Sequence, residues 1–284
     1  MRLIAASTYS FNQLISAGTI TQLESISLAK ELGFDAIEIV DLIHDNQLSD
    51  QEYAQELRNE LNRLEFPITN FTFGADFLNG SNGNFDEEVA HVKQMIDIAD
   101  ILGAKSVRHD ATSGKSGYSF EQVLPTLVRG CLAVTVYGAT KGIMTMVENH
   151  GLFSQDSTRI EALYAAVNHP NFKLLVDMGN FLCVDEDPTL ALSRLAPYAG
   201  YAHAKDFHLK PGQDSHPGEG FFQTRGGNFL RGAIIGHGNV PVKQCLTILT
   251  LAGYEGPLAI EFEGMEDNIE GMRISLANLK RYMT

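Results

Sequence analysis

Short β-rich runs alternate with helix-patterned stretches eight times along this chain, and that rhythm limits the folds open to it. The strand candidates are residues 2–7, 36–40, 68–73, 105–110, 144–149, 173–178, 201–206 and 258–263. Each is rich in apolar or β-branched residues and too short for a helix. Helices with start and stop signals lie between them. Thr19 is the expected cap of a helix that stops at Gly33. Ser49, followed three residues later by Glu52, reads as a capping box. "DEEVAHVKQMIDIADILG" has apolar residues at helical spacing and stops at Gly103. Further helices are expected at 119–139, 157–167, 187–196, 241–252 and 266–282.

Repeated strand–helix units give parallel strands. Eight of them point to a closed (β/α)8 TIM barrel, α/β in class, and 284 residues suit one such domain over 1–284. An open doubly wound sheet is the structural rival, but no Gly-x-Gly-x-x-Gly follows the first strand. The stretch 207–239 breaks the rhythm and is expected as a long functional loop after the seventh strand.

Composition narrows the function classes. The formal net charge of -14 repels phosphate backbones, and Lys and Arg are dispersed, so nucleic acid is not an expected partner. No apolar run approaches the roughly 18–20 residues of a membrane span, so no membrane partner is expected either. Three scattered cysteines, Cys131, Cys183 and Cys245, suggest neither a disulfide frame nor a thiolate zinc site, and a cytoplasmic location is expected.

The ends of the later strands carry the chemistry. Strand five ends in Glu148, strand six in Asp177, strand seven carries His203, and strand eight carries Glu261 and Glu263. These are four neighbours at the end of the barrel where such folds place their sites. Strand alternation puts Tyr201, His203 and Lys205 on one face, with Ala202 and Ala204 on the other. Ala259, Glu261 and Glu263 likewise share a face. Three carboxylates and an imidazole packed together would repel and desolvate one another, which a divalent cation relieves. Glu148, Asp177, His203 and Glu261 form an oxygen-rich set with one nitrogen, suited to one Mn²⁺, Mg²⁺, Co²⁺ or Zn²⁺ ion. Lys205 reads either as a substrate contact or as an ion-pair partner of Asp206 or Glu263. Arg108 and His109 end strand four, and only one of them can point inward. Glu38 on strand two reads as a paired carboxylate.

The ordered set resembles the xylose isomerase-like TIM barrel superfamily, in particular its sugar (phosphate) isomerases and epimerases. The resemblance rests on the Glu, the Asp of "VDMGN", the His of "HAKD" and the Glu of "AIEFEG". It spans nearly the whole chain. It implies metal ligation by Glu148, Asp177, His203 and Glu261, with Glu148 and Glu261 exchanging a substrate proton through an enediolate. The epimerases carry a substrate-contacting His where this chain has Asn180. Other candidate substrate contacts are His109, Lys205, Glu263 and Arg225, the last in a glycine-rich stretch with Phe221 and Phe222 that suits a lid. The expected substrate is a small sugar or sugar phosphate. A homo-oligomer, dimer or tetramer, is the expectation by analogy. Dehydration of an inosose-like or keto-polyol substrate is the alternative. An endonuclease IV-like hydrolase and a non-catalytic binding barrel stand behind it.

Overall fold

The computed structural model describes residues 2–44 and 47–284. Eight parallel strands close into a barrel. They are β1 (Ile4–Ser7), β2 (Ala36–Val40), β3 (Ile68–Phe73), β4 (Ser106–His109), β5 (Met144–Glu148), β6 (Phe172–Asp177), β7 (Ala199–Ala204) and, last in the chain, β11 (Leu258–Ile260). They run in sequence order around the ring, and β11 pairs with both β7 and β1 to close it.

Helices α1 (Gln22–Glu31), α2 (Asp50–Arg63), α3 (Phe85–Leu102), α4 (Phe120–Thr140), α5 (Ser157–Val167), α6 (Pro188–Leu195), α7 (Val242–Leu251) and α8 (Asn268–Tyr282) form the outer layer. Thr21, not Thr19, caps α1, because Glu24 is the residue that can reach back to complete its capping box. Ser49 and Glu52 cap α2 as expected, and Gly103 ends α3 in the left-handed conformation at φ 79°. The apolar helix α4 is long enough to span a bilayer, yet Val123, Leu127, Cys131 and Val134 are buried in the fold.

Side-chain alternation sorts the strands into two environments. Residues facing the helices, such as Phe71, Val107, Ala202, Ala204 and Ile260, join the main core. Inside the barrel, Ala5, Ala36, Met146, Leu175, Tyr201 and Ala259 form a separate apolar plug. Tyr201 is fully buried there, and its hydroxyl meets Thr69 at 2.7 Å. Towards the C-terminal strand ends the interior turns polar, with Glu38, Asn70, Thr72, Arg108, Glu148, Asp177, His203 and Glu261 all buried.

The stretch expected as loop 207–239 holds a small antiparallel sheet instead. Strands β8 (Asp206–Lys210), β9 (Phe222–Gln223) and β10 (Phe229–Ala233) run in the order β8–β10–β9. The seventh barrel strand therefore ends at Ala204, and Asp206 belongs to this lid. Its carboxylate accepts the backbone N–H groups of Phe207, Gly236, Gly238 and Val240 at 2.8–3.0 Å. Any Cβ on Gly238 would lie 2.2 Å from Asp206 Oδ1, so this clasp requires glycine there.

Candidate metal centre

His203 is the hub of the polar end. Its Nε2 meets Glu38 at 2.8 Å, and Glu38 also accepts from Asn70 and Thr72, each at 2.9 Å. That fixes the ring and leaves Nδ1 facing the barrel axis. From Nδ1, Asp177 Oδ2 is 3.6 Å away, and Glu148 Oε1 and Glu261 Oε2 are each 3.7 Å away. All four ligand atoms lie within 4.8 Å of one another. Ligands about 2.0–2.2 Å from one ion stand roughly 3–3.5 Å apart, so the cluster is close to the required size.

Two orphaned atoms complete the fit. His203 Nδ1 and Asp177 Oδ2 are buried and make no hydrogen bond. Such groups are costly unless something else binds them. Their neighbours are arranged to leave them free. Asp177 Oδ1 accepts from Gly179 and Asn180 N–H at 2.7 and 2.9 Å, which turns Oδ2 inward. The Asn149 side chain bonds both the N–H and the C=O of Asp177, at 2.8 and 3.0 Å, and so continues the β5–β6 pairing past the end of β5. The residues fit a divalent ion.

Cations flank the cluster on two sides. Arg108 Nε lies 2.6 Å from Glu148 Oε2, and its other arm reaches Asp110 at 2.8 Å. Burial favours the neutral Glu148 carboxyl, but Arg108 and His203 outweigh burial and hold it well below the usual carboxylate range. Lys205 contacts Glu261 directly and reaches Asn180 Oδ1 at 3.3 Å. Burial dominates at Glu261 and raises its carboxyl despite Lys205 and His203. Burial alone would lower Lys205, but Glu261 and Glu263 raise it well above its ordinary value.

A cavity of about 450 Å³ opens over the cluster and is lined by Arg108, Glu148, Asn180, Lys205, Glu261 and Glu263, among others. The lid contributes Phe222 and Gln223. His150 also lines it, with Nδ1 3.0 Å from Asp110 Oδ1.

Residues 26–282 match the family model described as xylose isomerase-like TIM barrel. The chain belongs to that family. Within it, the chain is 27% identical over 203 residues to a 3-dehydroshikimate dehydratase of Bacillus anthracis, covering 70% of each protein. Among the solved structures that share the fold are the following two. One is a D-allulose 3-epimerase from a Methylomonas species, at 17% identity, a TM-score of 0.73, and 99% of this chain and 98% of that one covered. The other is a Mycobacterium smegmatis family member in complex with magnesium, at 19% identity, a TM-score of 0.71, and 100% and 98% covered.

The family fold brings together Glu148, Asp177, Asn180, His203, Lys205, Glu261 and Glu263. It does not bring in His109. That ring is fully buried on the helix-facing side against Phe73 and Phe77, with Nδ1 bonded to the Asp110 carbonyl. Arg108 takes the inward position because strand four presents Ser106 and Arg108 to the same face as Asn70 and Thr72. Arg225 lies outside the cavity lining and pairs with Asp156 at 2.9 Å, tying the lid to the segment after β5. Asp206 serves the lid clasp, not Lys205. The Asp110–His150 pair was missed from sequence. The shared parity of Met146, Glu148 and His150 is the signal that could have found it.

Proposed function

We propose that the protein is a divalent-metal-dependent isomerase or epimerase of ketose-type sugars or sugar phosphates. The observation that carries this is the pairing of Glu148 and Glu261. They sit on β5 and just past β11, with β6 and β7 between them in the ring, and face each other across His203 Nδ1 at 3.7 Å each. A divalent ion bound there supplies Lewis-acid stabilisation of negative charge developing on adjacent carbonyl and hydroxyl oxygens. Glu261, the more basic of the two, takes the proton from the carbon beside the carbonyl. Glu148, on the other side, relays a solvent proton to the opposite face of that carbon in epimerisation, whereas in isomerisation Glu261 hands its own proton to the neighbouring carbon. Lys205 and Asn180 hold the substrate oxygens, and the Phe222 edge of the lid excludes water.

The second reading is dehydration. It is favoured by the asymmetry of the two cations and by the 27% identity to a dehydratase. Arg108 beside Glu148 cannot release a proton, whereas Lys205 beside Glu261 can, and so can protonate a departing hydroxyl.

Both are tested by incubating Mn²⁺-loaded protein with ketoses, ketose phosphates and inososes in D₂O and following the products by NMR. Deuterium beside a carbonyl with no loss of water supports isomerisation or epimerisation. An alkene product with loss of water moves the assignment to dehydration. Glu148→Gln is expected to abolish turnover, and near-wild-type activity in that variant removes its role in proton transfer.

A further inference from the structure

A second pocket opens beside the metal cavity, and the two share Tyr9, Asn12, Phe222 and Glu263. It has a volume of about 260 Å³. That is below the roughly 300–1,000 Å³ of a complete small-molecule site, so it suits an extension of a ligand already held next door. Its floor is the start of α8, where Asn268 is only 4% exposed. Asn268 Oδ1 is a buried acceptor with no donor. A sugar hydroxyl supplies such a donor, whereas a phosphate dianion has none.

The charge of the pocket points the same way. No Lys, Arg or His is among its lining residues, and its one carboxylate is Glu263. Glu263 accepts from the Tyr9 hydroxyl at 3.3 Å at the junction of the two cavities. The nearest cations, Lys205 and Arg231, already face carboxylates of their own, Lys205 those of Glu261 and Glu263 and Arg231 that of Glu266, so an anionic group placed there would compete with carboxylates already in place. The junction itself is aromatic. Phe222 is 41% exposed, stands in both linings and is braced edge-on by Phe207, while Tyr9 faces the same junction. Aromatic faces of this kind take the C–H face of a sugar ring.

We propose that this annex is a sugar subsite, holding a second, uncharged hydroxylated ring joined to the reacting ketose. The substrate is then a keto-glycoside and not a sugar phosphate. The inference rests on the proton-transfer function proposed above for the metal cavity, and it narrows the substrate class of that site.

Three probes separate the cases: D-fructose, fructose 6-phosphate, and isomaltulose, which carries a glucosyl ring at the same oxygen. Their affinities for the Mn²⁺-loaded protein are measured by calorimetry, and their carbon-bound deuterium exchange by NMR. Isomaltulose is expected to bind at least about tenfold tighter than fructose, and fructose 6-phosphate no tighter. Asn268→Leu is expected to bring the isomaltulose-to-fructose ratio close to one. Phe222→Ala, on the exposed lid edge, is expected to do the same, and serves if Asn268→Leu does not fold. Isomaltulose binding no tighter than fructose, undetectable binding included, overturns the proposal. So does tighter binding of the phosphate, or a ratio unmoved in folded variants. Tight isomaltulose binding without exchange for any probe would leave the subsite standing and remove the proton-transfer function.

Discussion

Glu38 shows how much of a candidate metal centre can be decided by a residue outside the clustered set. Its carboxylate holds His203 by Nε2, and Asn70 and Thr72 hold the carboxylate in turn. Glu38→Gln keeps the shape but weakens control of the ring's tautomer. Mn²⁺ affinity is expected to fall by roughly 10- to 100-fold, measured by calorimetric titration, while the fold persists. His109 acts on stability instead. Burial, partly offset by the Asp110 carbonyl, lowers its pKa from 6.5 to about 4. The unfolded chain therefore takes up a proton first as pH falls. The stability present above pH 6.5 is lost progressively between 6.5 and about 4, by about 3 kcal/mol. His109→Leu is expected to flatten that part of the curve, read from urea midpoints at pH 7 and pH 4.5. Which of Arg108 and His109 faces inward was legible in principle: Val107 and His109 share parity with the helix-facing side, and Ser106 and Arg108 with the polar interior. A histidine looks like chemistry in a sequence. In the folded barrel, apolar packing against Phe73 and Phe77 claims this one.

Among the elements, the barrel strands were readable and the lid was not. Parallel strands are buried on at least one face and announce themselves as β-rich runs between helices. The lid strands β8, β9 and β10 are short, and β9 has only two residues, so no periodicity marks them. What holds the lid is polar and distant in sequence. Asp206 gathers four backbone donors, and Asp185 binds Thr224, Gly226 and Asn228 in the β9–β10 turn. Asp206→Ala would leave those donors unpaired. It is expected to cost about 3 kcal/mol or more in urea unfolding and to open the 211–221 segment to proteolysis. Preserved protease resistance in that variant would show that the clasp does not hold the lid.

For the whole molecule, the clustering of Glu148, Asp177, His203 and Glu261 was legible because each sits near the end of a different strand, and strand order in this fold is spatial order. Their binding consequences are global. An ion held by the folded chain alone, at about 100 times its Kd, stabilises by about 2.7 kcal/mol. For a chain of this size that raises Tm by roughly 4–5 °C. Scanning calorimetry with and without Mn²⁺ checks this, with a chelator reversing the gain. The sign with pH is fixed by His203. Burial lowers its pKa, but Glu38 and Glu261 raise it well above its ordinary value in the metal-free protein. Ligation must displace that proton, so the gain in Tm is expected to shrink as pH falls. Tm gains independent of pH would argue against His203 as a ligand.

The pairing of β1 with β11 carries a consequence for how the protein is made. The ribosome delivers Glu148, Asp177 and His203 well before Glu261, and the ring stays open until the final strand emerges to dock against the first. The cluster is thus complete only when distant parts of the chain meet, through the non-local contacts that cost most loop entropy in folding. A partly synthesised chain therefore presents only Glu148, Asp177 and His203 of the four clustered side chains.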